Sequence, residues 1–419
     1  MSCGRKLTVF CQNKEAGVFL FDERGPNMRT TITVVLALIV FCSSALVSAE
    51  MTVGLDWEMI NRENTIAAWV DGELGGGFGI KLGVGASGSM EGPDEFTTFV
   101  EEFGGRYSIG AFTVFGGLLR HSFGRAQVHP TFLGAQGPAF PNVGYAVEGA
   151  NWSYVKLLGD VRTPRRALTP GEGQEEFKRL GLHYLRLTPW EPLTISVGEA
   201  FVYTAPFDGD IFYNTLPILP YYFTKYLPGI KTAIDNSLFY GDAILRLPQA
   251  ALYGELLVNE FPMVPGATNP RLFAVTLGVQ AELVPSWDVL AEYTYVTESA
   301  YSNKNPDAAY SVGDKPLGNP LGDDLMGVDL QVSHYWEALA TDTTVGVYHL
   351  RLGNTVVRPW KSEEVVSEKV YGIKLEAKHQ LNNLELKGHL DVGYVQDYKH
   401  QPGETGIRQK LVLSATWYL

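Results

Sequence analysis

Apolar and polar residues alternate with a period of two along most of this chain, and the alternation is clearest near its end. Leu384, Leu386, Leu390, Val392 and Tyr394 share one face, with Glu385, Lys387, His389 and Asp391 on the other. The last segment repeats the pattern, with Ile407, Leu411, Leu413, Ala415, Trp417 and Leu419 opposite Arg408, Lys410, Ser414 and Thr416. Successive side chains of a β-strand point to opposite faces, so each segment reads as a strand with one greasy and one wet face. Phe273 to Leu283 and Trp287 to Tyr295 alternate in the same way around Pro285-Ser286, which predicts a hairpin with a very short turn.

Further strands are predicted at 65–71, 77–87, 106–115, 152–158, 182–188, 193–203, 237–245, 249–258, 325–335, 343–352 and 369–380. Short turns such as Leu381-Asn382-Asn383 alternate with long polar connections, for example 297–324 and 353–367. Tight turns at one end and long loops at the other are the pattern of an outer-membrane barrel. The prediction is therefore an all-β transmembrane antiparallel β-barrel of about 16–18 strands. Trp57, Trp69, Trp152, Trp190, Trp287, Trp336 and Trp417 stand near strand ends, where a membrane–water interface favours them. A secreted sandwich or propeller is the soluble alternative.

Two segments interrupt the alternation. Phe96, Phe99, Val100 and Phe103 recur at helical spacing, and predict a short amphipathic helix over 93–103. Pro217, Pro220 and Pro228 exclude a central strand from 205–235, whose middle, 220–226, has room for two helical turns. Both are expected to form a helical or proline-rich element that covers a loop or plugs the lumen.

Composition adds a leader. All three cysteines (Cys3, Cys11, Cys42) precede residue 43. The basic Arg29, the apolar run from Ile32 to Phe41 and the small residues before Glu50 form a secretory signal. The expected organisation is an extension ahead of the true start at residues 1–27, a signal peptide at 28–49 and the barrel at 50–419. Removing residues 1–49 takes five basic and three acidic residues from totals of 33 and 46, leaving 28 and 43. So acidic a cysteine-free chain offers no thiolate metal site and argues against a nucleic-acid partner. No cofactor is expected, and the destination is the bacterial outer membrane, reached through its barrel-assembly machinery.

One stretch carries a family resemblance. Leu193-Thr-Ile-Ser-Val-Gly-Glu199 begins it, followed by Asn214-Thr-Leu-Pro217, Asp235-Asn236 with Asp242, and Leu252-Tyr-Gly-Glu255 through Phe261. In this order it resembles the Wzi-like capsule assembly family of outer-membrane barrels. The resemblance implies a non-enzymatic protein that binds exported surface polysaccharide and helps attach it to the cell.

The candidate glycan platform lies in the same region: Tyr203, Phe207, Phe212, Tyr213, Tyr221 and Tyr222 offer ring faces, and Asp208, Asp210 and Asn214 offer hydrogen-bonding groups. Packing of these rings inside a plug is the plainer role. Arg162, Arg165 and Arg166 form the densest basic cluster, suited to lipopolysaccharide phosphates or an acidic glycan, or to a solvated loop. Asp208-Gly-Asp210 reads as a turn before a calcium site, and Gly75-Gly76-Gly77 as a turn. His121-Ser122, adjacent on a strand, point apart and make no nucleophile–base pair. A passive porin is the alternative function. If the signal is cleaved as predicted, terminal sequencing of the exported protein begins at Glu50; a start at Met1 or Met28 contradicts that organisation.

Overall fold

The computed structural model describes residues 50–61, 63–89, 97–162, 177–204, 221, 235–259, 272–353 and 366–419; the leader lies outside them. The first nine strands are β1 (Glu50–Ile60), β2 (Glu63–Glu73), β3 (Phe78–Ser89), β4 (Thr97–Ile109), β5 (Phe112–Leu119), β6 (Phe140–Glu148), β7 (Trp152–Asp160), β8 (Arg179–Trp190) and β9 (Leu193–Tyr203). They continue with β10 (Asp235–Leu247), β11 (Ala250–Asn259), β12 (Phe273–Val284), β13 (Trp287–Val296), and the two-residue pair β14 (Ser311–Val312) and β15 (Lys315–Pro316). The last five are β16 (Leu325–Trp336), β17 (Thr341–Leu352), β18 (Glu368–Leu381), β19 (Leu384–Gln396) and β20 (Thr405–Tyr418).

Apart from β14 and β15, each strand pairs antiparallel with the next, and β20 returns to β1 to close an eighteen-stranded barrel. Thr52 faces Tyr418 at one end of the seam and Ile60 faces Lys410 at the other. Leu419 N–H donates to the Met51 carbonyl at 2.8 Å, which carries the seam to the last residue. Closure leaves no edge strand, and only closure pairs every wall N–H and C=O where no water reaches.

The faces separate as the alternation predicts. Leu386, Leu390, Val392 and Tyr394 of β19 are exposed on the outside, while Lys387, His389 and Asp391 line an interior cavity. The start of β1, the end of β20 and most of the tight turns, among them Pro285-Ser286 and Asn382-Asn383, gather at one end of the barrel. Residues 120–139 and 297–324 connect strands at the other end. Trp152, Trp190, Trp287, Trp336 and Trp417 are exposed beside the tight turns and form a girdle there. Trp69 does not join it: its indole lies over Gly54 on the luminal side and donates to Asp56 at 2.9 Å.

Three expectations are corrected. Residues 97–103 are strand, not helix, because β4 carries a bulge: Val84 faces Val100 and Gly83 faces Glu102, leaving Glu101 as the extra residue. The insertion puts Val100 and Phe103 on the same outer face three positions apart, which imitates helical spacing. The predicted strand 106–115 is two strands, separated at Gly110-Ala111, where Gly110 has φ +58°. His121 follows β5 and sits in a loop, not on a strand. The predicted proline-rich element falls outside the described residues except at Tyr221.

The hydrophobic core sits inside the barrel. Phe132 and Leu133 of the 120–139 connection pack with Tyr184, Tyr240 and Leu257 of the wall and with Tyr301, Tyr310 and Leu317 of the 297–324 connection. A wall of this kind makes neighbouring residues energetically opposite. Leu330→Arg, on the lipid face of β16, is expected to cost about 2–4 kcal/mol, while Gln331→Arg, one residue on and facing the lumen, costs far less. Urea titration of the refolded barrel, followed by its faster gel migration before boiling, measures both; equal costs would contradict the assignment of faces.

Candidate functional site

The interior is organised by carboxylates that the strands aim inward and that residues 120–139 use as acceptors. Backbone N–H groups crossing a lumen have no ladder partner, so each needs an acceptor from the wall. Glu102 of β4 takes the first, the Arg120 N–H, at 2.9 Å. Glu255 of β11 accepts from the N–H groups of Arg125, Ala126 (2.7 Å) and Thr131 (3.0 Å), and from the Thr131 hydroxyl at 2.9 Å. Glu292 of β13 takes the next three residues, with Gln127 N–H at 2.8 Å, Val128 N–H at 3.2 Å and His129 N–H at 2.7 Å; the Tyr253 hydroxyl adds a fourth bond at 2.7 Å.

Side chains of the same segment find the remaining acids. The Arg125 guanidinium meets Asp242 of β10 at 3.1 Å, and His129 Nε2 meets Asp329 of β16 at 2.8 Å. Tyr184 donates its hydroxyl to Asp242 at 2.8 Å, and Lys374 pairs with Asp329. Hydrogen bonds to a charged acceptor are the strong kind, each contributing about 1.5–3 kcal/mol. Apolar contact completes the fastening: the Phe132 ring stacks on Tyr240 at 4.5 Å and 9°.

The 297–324 connection packs on top. Asp323 accepts from Tyr301 N–H at 2.7 Å and from the Ser302 hydroxyl at 2.6 Å. Tyr301 then donates its hydroxyl to the Thr131 carbonyl at 3.0 Å, which locks the two connections together. Burial pushes the Tyr301 and Tyr310 phenols up, so both stay neutral. On the outer face of β9, which also carries the exposed Ile195 and Val197, Glu199 accepts from Tyr221 N–H at 2.8 Å.

Of the glycan platform, Tyr203 and Tyr221 lie within the described residues, and both are buried. Tyr221 stacks on His183 at 5.0 Å, packs against Phe201 and has Lys156 Nζ at 4.5 Å from its ring centre. Tyr203 packs against Phe201 and Phe177. Phe207, Asp208, Asp210, Phe212, Tyr213, Asn214 and Tyr222 lie outside the described residues, as do Arg165 and Arg166. Arg162 pairs with Asp160 through its Nε at 2.9 Å. His121 donates from Nε2 to Asn142 Oδ1 at 2.9 Å, among the rings of Phe115, Phe123 and Phe140. Burial lowers its pKa and favours the neutral imidazole.

Space remains along the opposite wall. Cavities of about 600 and 460 Å³ share Gln136, Glu376, Lys387, His389 and Lys410 and run along β16–β20, β1 and β2. Their charges come in pairs, Lys387 with Glu376 at 3.0 Å and Lys410 with Glu58. Of the inward-facing acids, Asp242 and Glu255 fall within the resembling stretch of the sequence, but nothing in it marks their loop partners.

Fold and interior together define an outer-membrane-type barrel narrowed by inward connections. No family model matches the chain, and no curated protein does. Among solved structures it is similar to Wzi, described as an outer-membrane protein involved in group 1 capsule assembly in Escherichia coli and as a carbohydrate-binding β-barrel. The two share 11% identity and a TM-score of 0.63, over 92% of this chain and 88% of that one. It is also similar to OprD of Pseudomonas aeruginosa, at 11% identity and TM-score 0.52, over 89% and 95%, and to OccK3 of the same organism, at 11% and 0.52, over 90% and 97%. These likenesses are of fold.

Glu255→Ala removes the acceptor of three backbone N–H groups and one hydroxyl at once, an expected loss of about 3 kcal/mol or more for the inward segment. Trypsin is expected to cut the variant at Arg125 while leaving the strands intact and the wild type uncut. An uncut variant would contradict the fastening role.

Proposed function

We propose that this chain is a non-enzymatic protein of the bacterial outer membrane that binds exported surface polysaccharide and helps assemble it at the cell surface. The supporting observation is the fastened interior. Glu255 and Glu292 hold residues 125–131 by seven hydrogen bonds to backbone and hydroxyl groups, over an apolar core that fills one side of the lumen. A fixed, filled interior suits retention of a ligand better than bulk flow. The rings and polar groups of Phe207, Asp208, Asp210, Phe212, Tyr213, Asn214 and Tyr222 are the candidates for polysaccharide contact, and Arg162, Arg165 and Arg166 would meet lipopolysaccharide phosphates. The overlap with the carbohydrate-binding Wzi barrel agrees with this reading.

A passive porin is the second reading, favoured by the continuous space along β16–β20, β1 and β2. The two part in one pair of measurements on purified protein. The first predicts retention of the cells' own surface polysaccharide on immobilised barrel, with no steady conductance in planar bilayers. Regular conductance steps without retained polysaccharide would replace it with the porin.

A further inference from the structure

A separate cavity of about 300 Å³ lies between the 120–123 segment and the wall of β2–β5 and β7. One side is aromatic. Phe115, His121 and Phe123 each leave part of a ring uncovered; His121 and Phe123 are parallel within 3° at 6.1 Å, and Phe115 meets His121 at 5.3 Å. The His121–Asn142 hydrogen bond fixes the middle ring in plane. The other side is polar, with Lys81 on Glu102 at 2.8 Å and Arg120 on Glu101 at 3.1 Å. Arg120 Nε is buried and donates to nothing among the described residues.

Access is from the tight-turn end. Asp71 and Arg106 line both this cavity and one of about 540 Å³ beside Glu50, Met51 and Leu419, whereas Arg120, His121 and Phe123 roof it on the loop side. Glycines keep it open: a Cβ on Gly104 would stand 2.7 Å from Leu119 Cδ2, and one on Gly79 2.8 Å from Arg106 Nε. Tight turns face the periplasm in barrels of this type.

Ring faces opposite a hydrogen-bonding wall select an amphipathic ligand. A lipid chain would leave the polar wall unpaired, at a desolvation cost, and a small ion would leave the rings unused. A pyranose ring has apolar C–H faces for the aromatics and a hydroxyl rim for Arg120, Lys81 and Glu102. The cations are already balanced by Glu101, Glu102 and Glu73, so the wall calls for no net charge on the sugar. We infer that this pocket holds one neutral pyranose unit of a polysaccharide that enters from the periplasmic end. The inference rests on the polysaccharide reading above and adds to it a site, a sugar class and a direction.

The test uses short oligosaccharides made by partial hydrolysis of the producing cells' surface polysaccharide, split by anion exchange into neutral and acidic fractions. Calorimetry on the full barrel in detergent is expected to show binding of the neutral fraction, weakened about tenfold or more by Phe123→Ala and by Phe115→Ala. Phe123→Tyr keeps the ring and is expected to keep the affinity. Because the barrel has no cysteine, Thr113→Cys places a lone thiol on the cavity lining, and the neutral fraction should slow its maleimide labelling. Binding that survives both alanine variants, or is confined to the acidic fraction, overturns the pocket and leaves the polysaccharide reading standing. Failure of the intact polysaccharide to bind removes that reading, and the pocket with it.

Discussion

The interior of this barrel depends on carboxylates accepting backbone N–H groups from connections remote in sequence. Glu255 alone takes three such groups and a hydroxyl from residues more than a hundred positions earlier. A chain entering a lumen leaves both the β-ladder and bulk water, and each unpaired N–H would cost about 1–3 kcal/mol. An ionised carboxylate answers several donors at once, because its two oxygens offer about four acceptor sites. In turn, six N–H groups converging on two such acids supply what each buried charge lost on leaving water. Neither the wall acids nor the inward segment is stable in this arrangement alone.

The closed wall sets where those acids stand. Strand alternation and an apolar exterior send most strand acids to the lumen, so position along the strand decides which depth of the interior each serves. Asp242, Glu255, Glu292 and Asp329 come from β10, β11, β13 and β16, a contiguous arc once β12 is counted between them. Thr276 of β12 joins them by donating its hydroxyl to the His129 carbonyl at 3.0 Å. The inward segment therefore tracks one arc of the wall, and the apolar core of Phe132, Tyr240 and Tyr310 forms against that arc.

Legibility in the sequence follows the range of the interaction. Strand alternation is local, so β9 (Leu193–Tyr203) and the hairpin around Pro285-Ser286 could be read at once. The bulge at Glu101 deceived because one extra residue changes a period of two into a spacing of three. Pro141, second in β6, hid that strand, since proline argues against a ladder position. Glu199, Asp242 and Glu255 stand within the resembling stretch; in the structure Asp242 and Glu255 hold the inward segment, while Glu199 on the outer face of β9 accepts from Tyr221. Their partners stayed hidden for a physical reason: the donors at 125–131 are mainly backbone N–H groups, which every non-proline residue carries and no pattern marks.

The asymmetry of filling has a consequence for how such a barrel handles a long ligand. Along the β10–β16 arc the charges are spent on the inward segment; along β17–β20, β1 and β2 they are spent on one another, as Lys387 with Glu376 and Lys410 with Glu58. Cross-strand pairs near open cavity are partly hydrated and worth little individually, so hydroxyl groups of a passing polymer can replace them at small cost. Pairs at the filled arc are desolvated and hydrogen-bonded on several sides, as Asp329 is by His129 and Lys374, and exchange there is expensive. One wall thus holds the interior in place while the facing wall stays exchangeable.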